Sequence, residues 1–281
     1  MPETVPEAGP MAVRFAQFTM VGDRRSNQDV LGHAEQDGLA CFVVSDGVGG
    51  QEGGAIAAEI VVRSILERFR QESSFTPRAL RSYLDYAIAQ VAQRRKEDTQ
   101  LQNMSTTVAA LLIDQNNRCA LWAHLGDTRI YLFRGNKVQS VTRDHSLVQQ
   151  FADAGYCTAD EMRTHPQRNA LYAAIGQEGG MAPEVTQEMV DIQVGDAFLV
   201  CSDGLWECLT DKQIEEALAA SHSAEEWLNH MCDAIDVMDK TSGLTTVPAP
   251  KSRDNCTAFT IVLSLADAAN PQLAAIANFG R

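Results

Sequence analysis

No two of the seven cysteines, at positions 41, 119, 157, 201, 208, 232 and 256, are spaced as a CxxC pair. An odd, unpatterned set excludes a disulfide framework and a cysteine-built zinc site, and it fits a reducing compartment. Cys41 and Cys201 lie inside apolar runs, where a thiol acts as a small hydrophobe. Those runs are short. None approaches the roughly 20 residues that a membrane-spanning helix needs. The N-terminal MPETVPEAGP lacks the basic start and apolar centre of a signal peptide. Positive charge is also scarce: Lys and Arg total 23 against 37 Asp and Glu, for a net charge of -14. Such a chain repels nucleic acid and anionic membranes, whose recognition needs clustered positive charge. No internal repeat and no clean interdomain linker interrupt the 281 residues. The expectation is a monomeric cytoplasmic protein with one main domain and with neither a nucleic-acid nor a membrane partner.

The chain is 45% hydrophobic, ample for a sizeable core. Residues 1–11 read as a disordered leader, 12–265 as the domain, and the Ala-rich 266–281 as a tail. Residues 12–20 alternate as a strand, and 39–45 form an apolar run that stops abruptly at DGVGGQEGG, residues 46–54. So many glycines mean tight turns or a close backbone approach. Residues 55–70 carry a helical stripe of Ile56, Ile60, Val61, Ile65, Leu66 and Phe69. Pro77 opens a second helix that runs to about residue 96. Strands are predicted at 106–114, 118–124, 129–133, 138–142, 197–201 and 257–264. Helical pieces are predicted at 146–154, 159–164, 212–220 and 224–238, with a polar, Pro-containing loop after the last of them. Strands cluster between clusters of helices, which breaks βαβα alternation and points to an α+β fold.

Aspartates recur at the ends of the apolar strands. Asp46 closes CFVVSD, Asp203 closes FLVCSD, Asp127 lies between two strands in LWAHLGDTRIY, and Asp254 precedes the last strand. One such Asp is an ordinary turn residue. Two copies of Ser-Asp-Gly, at 45–47 and 202–204, are harder to dismiss. If these carboxylates converge, each pair at about 4 Å repels by roughly 4 kcal/mol at an effective dielectric of about 20. A cation must compensate, and no Lys or Arg run lies beside them. Hard divalent ions such as Mg²⁺ or Mn²⁺ prefer oxygen ligands and keep waters, as catalytic sites require.

Eight ordered segments carry a family resemblance: GDRRSNQD at 22–29, VVSDGVGGQEGG at 43–54, MSTT at 104–107, HLGDTRIY at 124–131, TRDHS at 142–146, HPQRNALYAAIG at 165–176, GDAFLVCSDGLWE at 195–207 and RDNCTAFTIV at 253–262. The chain resembles the type 2C metal-dependent protein serine/threonine phosphatases in their stand-alone bacterial form. That resemblance implies a central sandwich of two antiparallel β-sheets, flanked on both faces by pairs of antiparallel helices, with a flap at about 143–176 beside the active site. Gly155 and Gly176 could loosen the flap's ends. The resemblance also implies residue roles. Asp46 bridges two tightly held Mn²⁺ or Mg²⁺ ions, and Gly47 offers its carbonyl to the first. Asp203 and Asp254 bind the second. Asp127 joins Asp203 at a weaker third ion. Asp29 hydrogen-bonds metal-bound water, and Arg24 grips the substrate phosphate, while Arg25 is a solvated charge. A hydroxide bridging the two metals then attacks phosphorus directly, on phosphoserine or phosphothreonine of protein substrates placed there by a cognate Ser/Thr kinase.

Two departures from the family stand out. Gln51 replaces a histidine common after DGMGG in bacterial members, and Val48 stands where eukaryotic members place a proposed acid histidine. His124, His145 and His165 read as structural: a strand residue, a turn residue and a flap residue before Pro166. A cysteine-dependent phosphatase is excluded, because none of the cysteines sits in a phosphate-cradling loop with Arg. A partner-binding module without activity on the same fold would be expected to have lost metal aspartates, and all four are present.

Overall fold

The computed structural model describes residues 10–48, 52–177, 181–241 and 253–266. Strands β1 (Met11–Met20), β2 (Asp29–Gln36) and β3 (Leu39–Val48) precede helices α1 (Glu52–Glu72) and α2 (Pro77–Glu97). Next come β4 (Ser105–Thr106), β5 (Val108–Asp114), β6 (Cys119–Leu125), β7 (Arg129–Arg134) and β8 (Lys137–Val141). Short helices α3 (Leu147–Asp153) and α4 (Ala159–Met162) lead to β9 (Glu184–Val185), β10 (Val190–Asp191) and β11 (Ala197–Cys201). Helices α5 (Asp203–Trp206), α6 (Asp211–Ala219) and α7 (Ala224–Thr241) come before β12 (Cys256–Leu265).

The strands form two antiparallel sheets, ordered β1-β12-β11-β7-β8 and β10-β6-β5-β3-β2, with β4 added beside β3 and β9 beside β6. This is the expected α+β sandwich. The central strands are apolar on both faces because each face is covered. In β3, Ala40, Phe42 and Val44 meet the other sheet, while Cys41 and Val43 pack under α1 and α2. In β11, Phe198 and Val200 point into the sandwich, while Leu199 and Cys201 pack with Trp227 and Met231 of α7. An alternating pattern in such strands would leave polar groups buried, so a continuous apolar run is what the architecture demands. Helix α2 starts as its sequence suggests, with the Thr76 hydroxyl accepting from the Ala79 N–H and Pro77 in the first turn.

Several expectations need correction. The disordered leader was placed at 1–11, but Met11 belongs to β1, pairs with Leu265 and is buried. Residues 1–9 and 267–281, and the polar loop at 242–252, lie outside the described residues. Strands β2, β9 and β10 were not foreseen. Their sequences, DVLGHAEQ, EV and VD, are short or polar, as suits strands at sheet edges. Residues 143–176 contain α3 and α4, and bridges Ser146↔Leu171 and Thr106↔Ile175 tie them down. Gly176 does not loosen this segment. Its φ is 94°, and a Cβ there would lie 2.4 Å from the Met104 carbonyl oxygen, so the glycine permits a close backbone contact.

The interior of the sandwich depends on an aromatic cluster. The fully buried Phe42 ring meets Phe15 and Phe259 edge-on, each at 5.2 Å between centroids. Phe42→Ala should lower stability by about 3–5 kcal/mol, seen as a reduced urea midpoint at unchanged m-value. A loss below about 1 kcal/mol would contradict close packing at this point.

Candidate active site

Topology brings the strand-end aspartates together. Strands β2 and β3 are antiparallel, and Asp29 at the start of one lies opposite Asp46 near the end of the other. Strands β11 and β12 are likewise antiparallel, so Asp203 just after β11 and Asp254 just before β12 share an end of their sheet. Asp127 occupies the turn that carries the chain from β6 in one sheet to β7 in the other. The result is a cleft of about 750 Å³ lined by Arg24, Asp46, Gly47, Asp127, Asp203 and Asp254. Asp29 lies just behind it, accepting a 2.7 Å hydrogen bond from the Ser202 hydroxyl. Arg25, expected as a plain surface charge, also lines the cleft, as does Val48.

Each acidic segment is anchored by a contact that tolerates no extra atoms. A Cβ on Gly204, the residue after Asp203, would sit 2.1 Å from the Asn255 carbonyl oxygen. The backbone on either side of the glycine-rich turn is in contact too, because a Cβ on Gly47 would lie 2.4 Å from the Gly54 carbonyl carbon. Asp46 is held on both sides of its peptide: its N–H donates to Thr107 Oγ1 at 3.1 Å, and its carbonyl accepts from the Thr107 N–H at 2.8 Å.

Residues that the sequence reading did not single out complete the frame. Asn255 donates from Nδ2 to the carbonyls of Val21 (2.7 Å) and Ser26 (3.0 Å) and accepts from the Gln28 N–H (2.8 Å). It thereby folds the loop carrying Arg24 around Asp254. Trp206 Nε1–H donates to the Asp127 carbonyl at 2.9 Å, tying that turn to the helix that starts at Asp203. Behind Trp206, the Arg129 guanidinium lies 3.5 Å from the indole ring centre and makes two parallel bonds to Asp144, at 2.8 and 2.6 Å. The DN and LW dipeptides and the paired TRIY and TRDHS segments were visible, but nothing in them indicates which partner each side chain meets.

Charge accumulates in the cleft. Burial first, then Asp29, Asp203, Asp127 and Asp254, push the Asp46 carboxyl well above its ordinary range. Burial, Asp127 and Glu207 do the same to Asp203. Asp127 is pushed up to about 8 by burial and by Asp144. Burial also raises Asp29. One oxygen each of Asp29 and Asp203 is buried without a hydrogen-bond partner in the protein. Arg24 Nη2 reaches Asp254 at 2.5 Å. An all-oxygen donor set, unmatched negative charge and orphaned carboxylate oxygens fit hard divalent cations.

The tightest trio of metal-capable groups among the described residues lies elsewhere, at His124, His145 and Glu184, within 4.8 Å of one another. Each imidazole there makes one hydrogen bond to the backbone. His145 Nδ1 accepts from the Gly126 N–H at 3.0 Å, which leaves the ring proton on Nε2, 3.3 Å from Glu184 Oε1. His124 Nε2 bonds the Arg143 carbonyl at 2.8 Å, and the two rings stack. A metal would have to displace that proton, so the trio is structural.

The sequence pattern of the family described as "Protein phosphatase 2C" matches residues 21–244. The chain belongs to the protein phosphatase 2C family. Protein phosphatase PhpP of Streptococcus pneumoniae is 31% identical over 213 residues, 74% of this chain and 85% of that protein. Serine/threonine phosphatase stp of Listeria monocytogenes is 30% identical over 209 residues, 72% and 81% of the two chains. Among solved structures, the Mycobacterium tuberculosis serine/threonine phosphatase PstP/Ppp superposes with a TM-score of 0.74 at 26% identity, covering 90% of this chain and 99% of that one. A second structure, the PstP catalytic domain in complex with 2 manganese ions, gives a TM-score of 0.73 at 25% identity over 90% and 99%. The family match ends before Asp254 and Asn255, so their place in the cleft comes from the β11–β12 pairing.

The raised carboxyls set a pH dependence. An unfolded carboxyl releases its proton near 3.9, whereas Asp127 in the metal-free fold keeps its proton to about 8. Between those values the unfolded state binds fewer protons, so stability must fall as pH rises. In EDTA the Tm should therefore drop from about pH 5 to about pH 8. Mn²⁺ at 100 times its Kd should add about 2.7 kcal/mol, and its Tm increment should grow with pH as protons cease to compete. A Tm in EDTA that rises over this range, or a Mn²⁺ increment independent of pH, would contradict a shared carboxylate cluster.

Proposed function

We propose that this protein is a metal-dependent phosphatase that hydrolyses phosphoserine and phosphothreonine on proteins. The observation that carries this reading is the convergence of Asp46, Asp127, Asp203 and Asp254 in one cleft with Arg24 beside them. Membership of the protein phosphatase 2C family and the manganese complex of a relative support metal dependence. In the proposed assignment, Asp46, Gly47 through its carbonyl, Asp203 and Asp254 would hold two tightly bound ions, and Asp127 with Asp203 would hold a weaker third. Bound divalent ions supply Lewis acidity that ionises water at neutral pH and neutralises phosphate oxygens.

The chain's own groups do the rest. The Asp46 backbone is fixed on both sides by Thr107, which sets where its side chain enters the cleft. The Arg24 guanidinium has one nitrogen on Asp254 and further N–H donors for a phosphate, with a planar fork that suits two oxygens. The Asp29 carboxylate, oriented by Ser202, faces Asp46 in register and can accept a proton-bearing donor from that side. Of His124, His145 and His165, none lines the cleft, and neither does any cysteine. Gln51 lies outside the described residues, and Val48 offers no proton. In this reading, water supplies the proton to the leaving serine or threonine oxygen. A Ser/Thr kinase as the source of the substrate, a cytoplasmic location and a monomeric state complete the proposal. No helix among the described residues is long and apolar enough to cross a membrane.

Two substitutions test the assignment with Mn²⁺ in excess. Asp46→Ala should reduce phosphopeptide turnover by at least about 10³-fold and abolish the Mn²⁺-induced rise in Tm, because a ligand common to the site is removed. Arg24→Ala should raise KM and weaken inhibition by inorganic phosphate about tenfold, with kcat altered less. Near-normal turnover by Asp46→Ala would overturn the metal assignment. An unchanged KM and unchanged phosphate inhibition in Arg24→Ala would make Arg24 a surface charge.

A further inference from the structure

Two arginines line the cleft, and one of them is uncommitted. Arg24 bonds Asp254. Its neighbour Arg25 is exposed, and among the described residues it has neither an ion pair nor a side-chain hydrogen bond. The chain carries 37 acidic against 23 basic side chains, so carboxylate partners are plentiful, yet Arg25 has taken none.

The backbone beneath Arg25 is fixed even though its side chain is not. On one side, a Cβ on Gly22 would lie 2.3 Å from the Asp254 carbonyl oxygen, so the two backbones are in contact. Asp23 is tied to Arg253 twice: its N–H donates to the Arg253 carbonyl at 3.0 Å, and its carboxylate accepts from the Arg253 N–H at 2.8 Å. On the other side, the Ser26 carbonyl accepts from Asn255, and Asn27 Nδ2 donates to Thr19 Oγ1 at 2.7 Å. Clamps before and after Arg25 set its place on the wall, so taking an anion costs only the ordering of its own side chain. The cleft floor does not supply that anion. In the phosphatase reading above, cations offset the floor carboxylates and the substrate phosphate goes to Arg24. Arg25 is then left for the peptide that flanks the phosphorylated side chain.

We propose that Arg25 is a specificity-determining residue whose guanidinium takes an anionic group flanking the phosphorylated serine or threonine, a carboxylate or a second phosphate, so that acidic phosphopeptides are favoured over neutral and basic ones. The proposal rests on the phosphatase reading above. An exposed pair of this kind is weak and screened by salt, so the preference is a few-fold and shrinks as ionic strength rises. A phosphate group, with more charge and three acceptor oxygens, binds the planar fork better than a carboxylate does.

The test uses four phosphothreonine peptides that differ only at the residues two places on either side, which are Ala, Lys, Asp or a non-hydrolysable phosphonate analogue of phosphoserine. p-Nitrophenyl phosphate, which has no flanks, serves as the reference, and Tm with Mn²⁺ is recorded for each variant. The readout is the ratio of KM for the Ala peptide to KM for each charged peptide. Repulsion from the net charge of the whole chain is nearly the same in wild type and Arg25→Gln, so the change in that ratio reads Arg25. The ratio for the Asp peptide should fall about three- to fivefold from wild type to Arg25→Gln, and the fall should be smaller in 0.5 M NaCl. Arg25→Lys should keep most of the preference, since it keeps the charge, and Arg25→Glu should shift it toward the Lys peptide. A fall for both anionic peptides assigns Arg25 to carboxylate and phosphate alike, and a fall confined to the phosphonate peptide assigns it to a second phosphate; both support the proposal. An unchanged ratio in Arg25→Gln, a wild type that favours the Lys peptide, or a loss that is equal on all four peptides and p-nitrophenyl phosphate would overturn it. Wild-type protein inactive on every substrate with Mn²⁺ would instead overturn the phosphatase reading itself.

Discussion

Carboxylates that share a cleft repel one another, and the geometry around Asp46, Asp203, Asp127 and Asp254 is built to hold them despite that repulsion. The cost appears in the raised proton affinities of Asp46, Asp203 and Asp127 and in the orphaned oxygens of Asp29 and Asp203. A fold can sustain such a cluster only if the backbone beneath it cannot relax. The nearby contacts are accordingly backbone to backbone or side chain to backbone: Gly204 on Asn255, Gly47 on Gly54, Thr107 on Asp46, and Trp206 on Asp127. Each closes a gap that any larger residue or missing donor would open.

The sandwich supplies the rigid base. Antiparallel pairing puts the end of one strand beside the start of its neighbour, so residues far apart in sequence meet at one end of the sheets. Asp29 and Asp46 come together in this way from one sheet, and Asp203 and Asp254 from the other. Asp127 enters from the turn that links the two sheets. The three apolar clusters, one between the sheets and one under each helical layer, make sliding of any strand costly. Placement of the charges thus follows from hydrophobic burial elsewhere in the molecule.

The segment at 143–176 is of a different kind. It holds short helices and two isolated bridges, and polar contacts through Arg163 and Arg168 fasten it. Such contacts can be altered without disturbing the core. A wall fastened by ion pairs beside a rigid acidic cleft can change while the cleft floor stays constant.

Much of this was legible in the chain itself. Doubly apolar runs such as 39–45 and 197–201 could only be covered central strands. Repeated Ser-Asp-Gly at their ends, with eight ordered segments, pointed to the family and to the acidic residues that do line the cleft. Local chemistry determined those features, because burial demands apolar runs and turns favour Asp and Gly. The edge strand β2 leaves no clear pattern, because Gly32 yields its side-chain space to Leu66 and Val62 of α1 while His33, Glu35 and Gln36 are exposed. Tertiary structure alone decided that Asn255 clamps the Arg24 loop, that Trp206 holds the Asp127 turn, that His124 and His145 stack, and that Arg168 reaches Glu207. These pairings join residues from 21 to 234 positions apart. A side chain's hydrogen-bonding capacity is written in its identity, but the partner that satisfies it is chosen only when the sheets close.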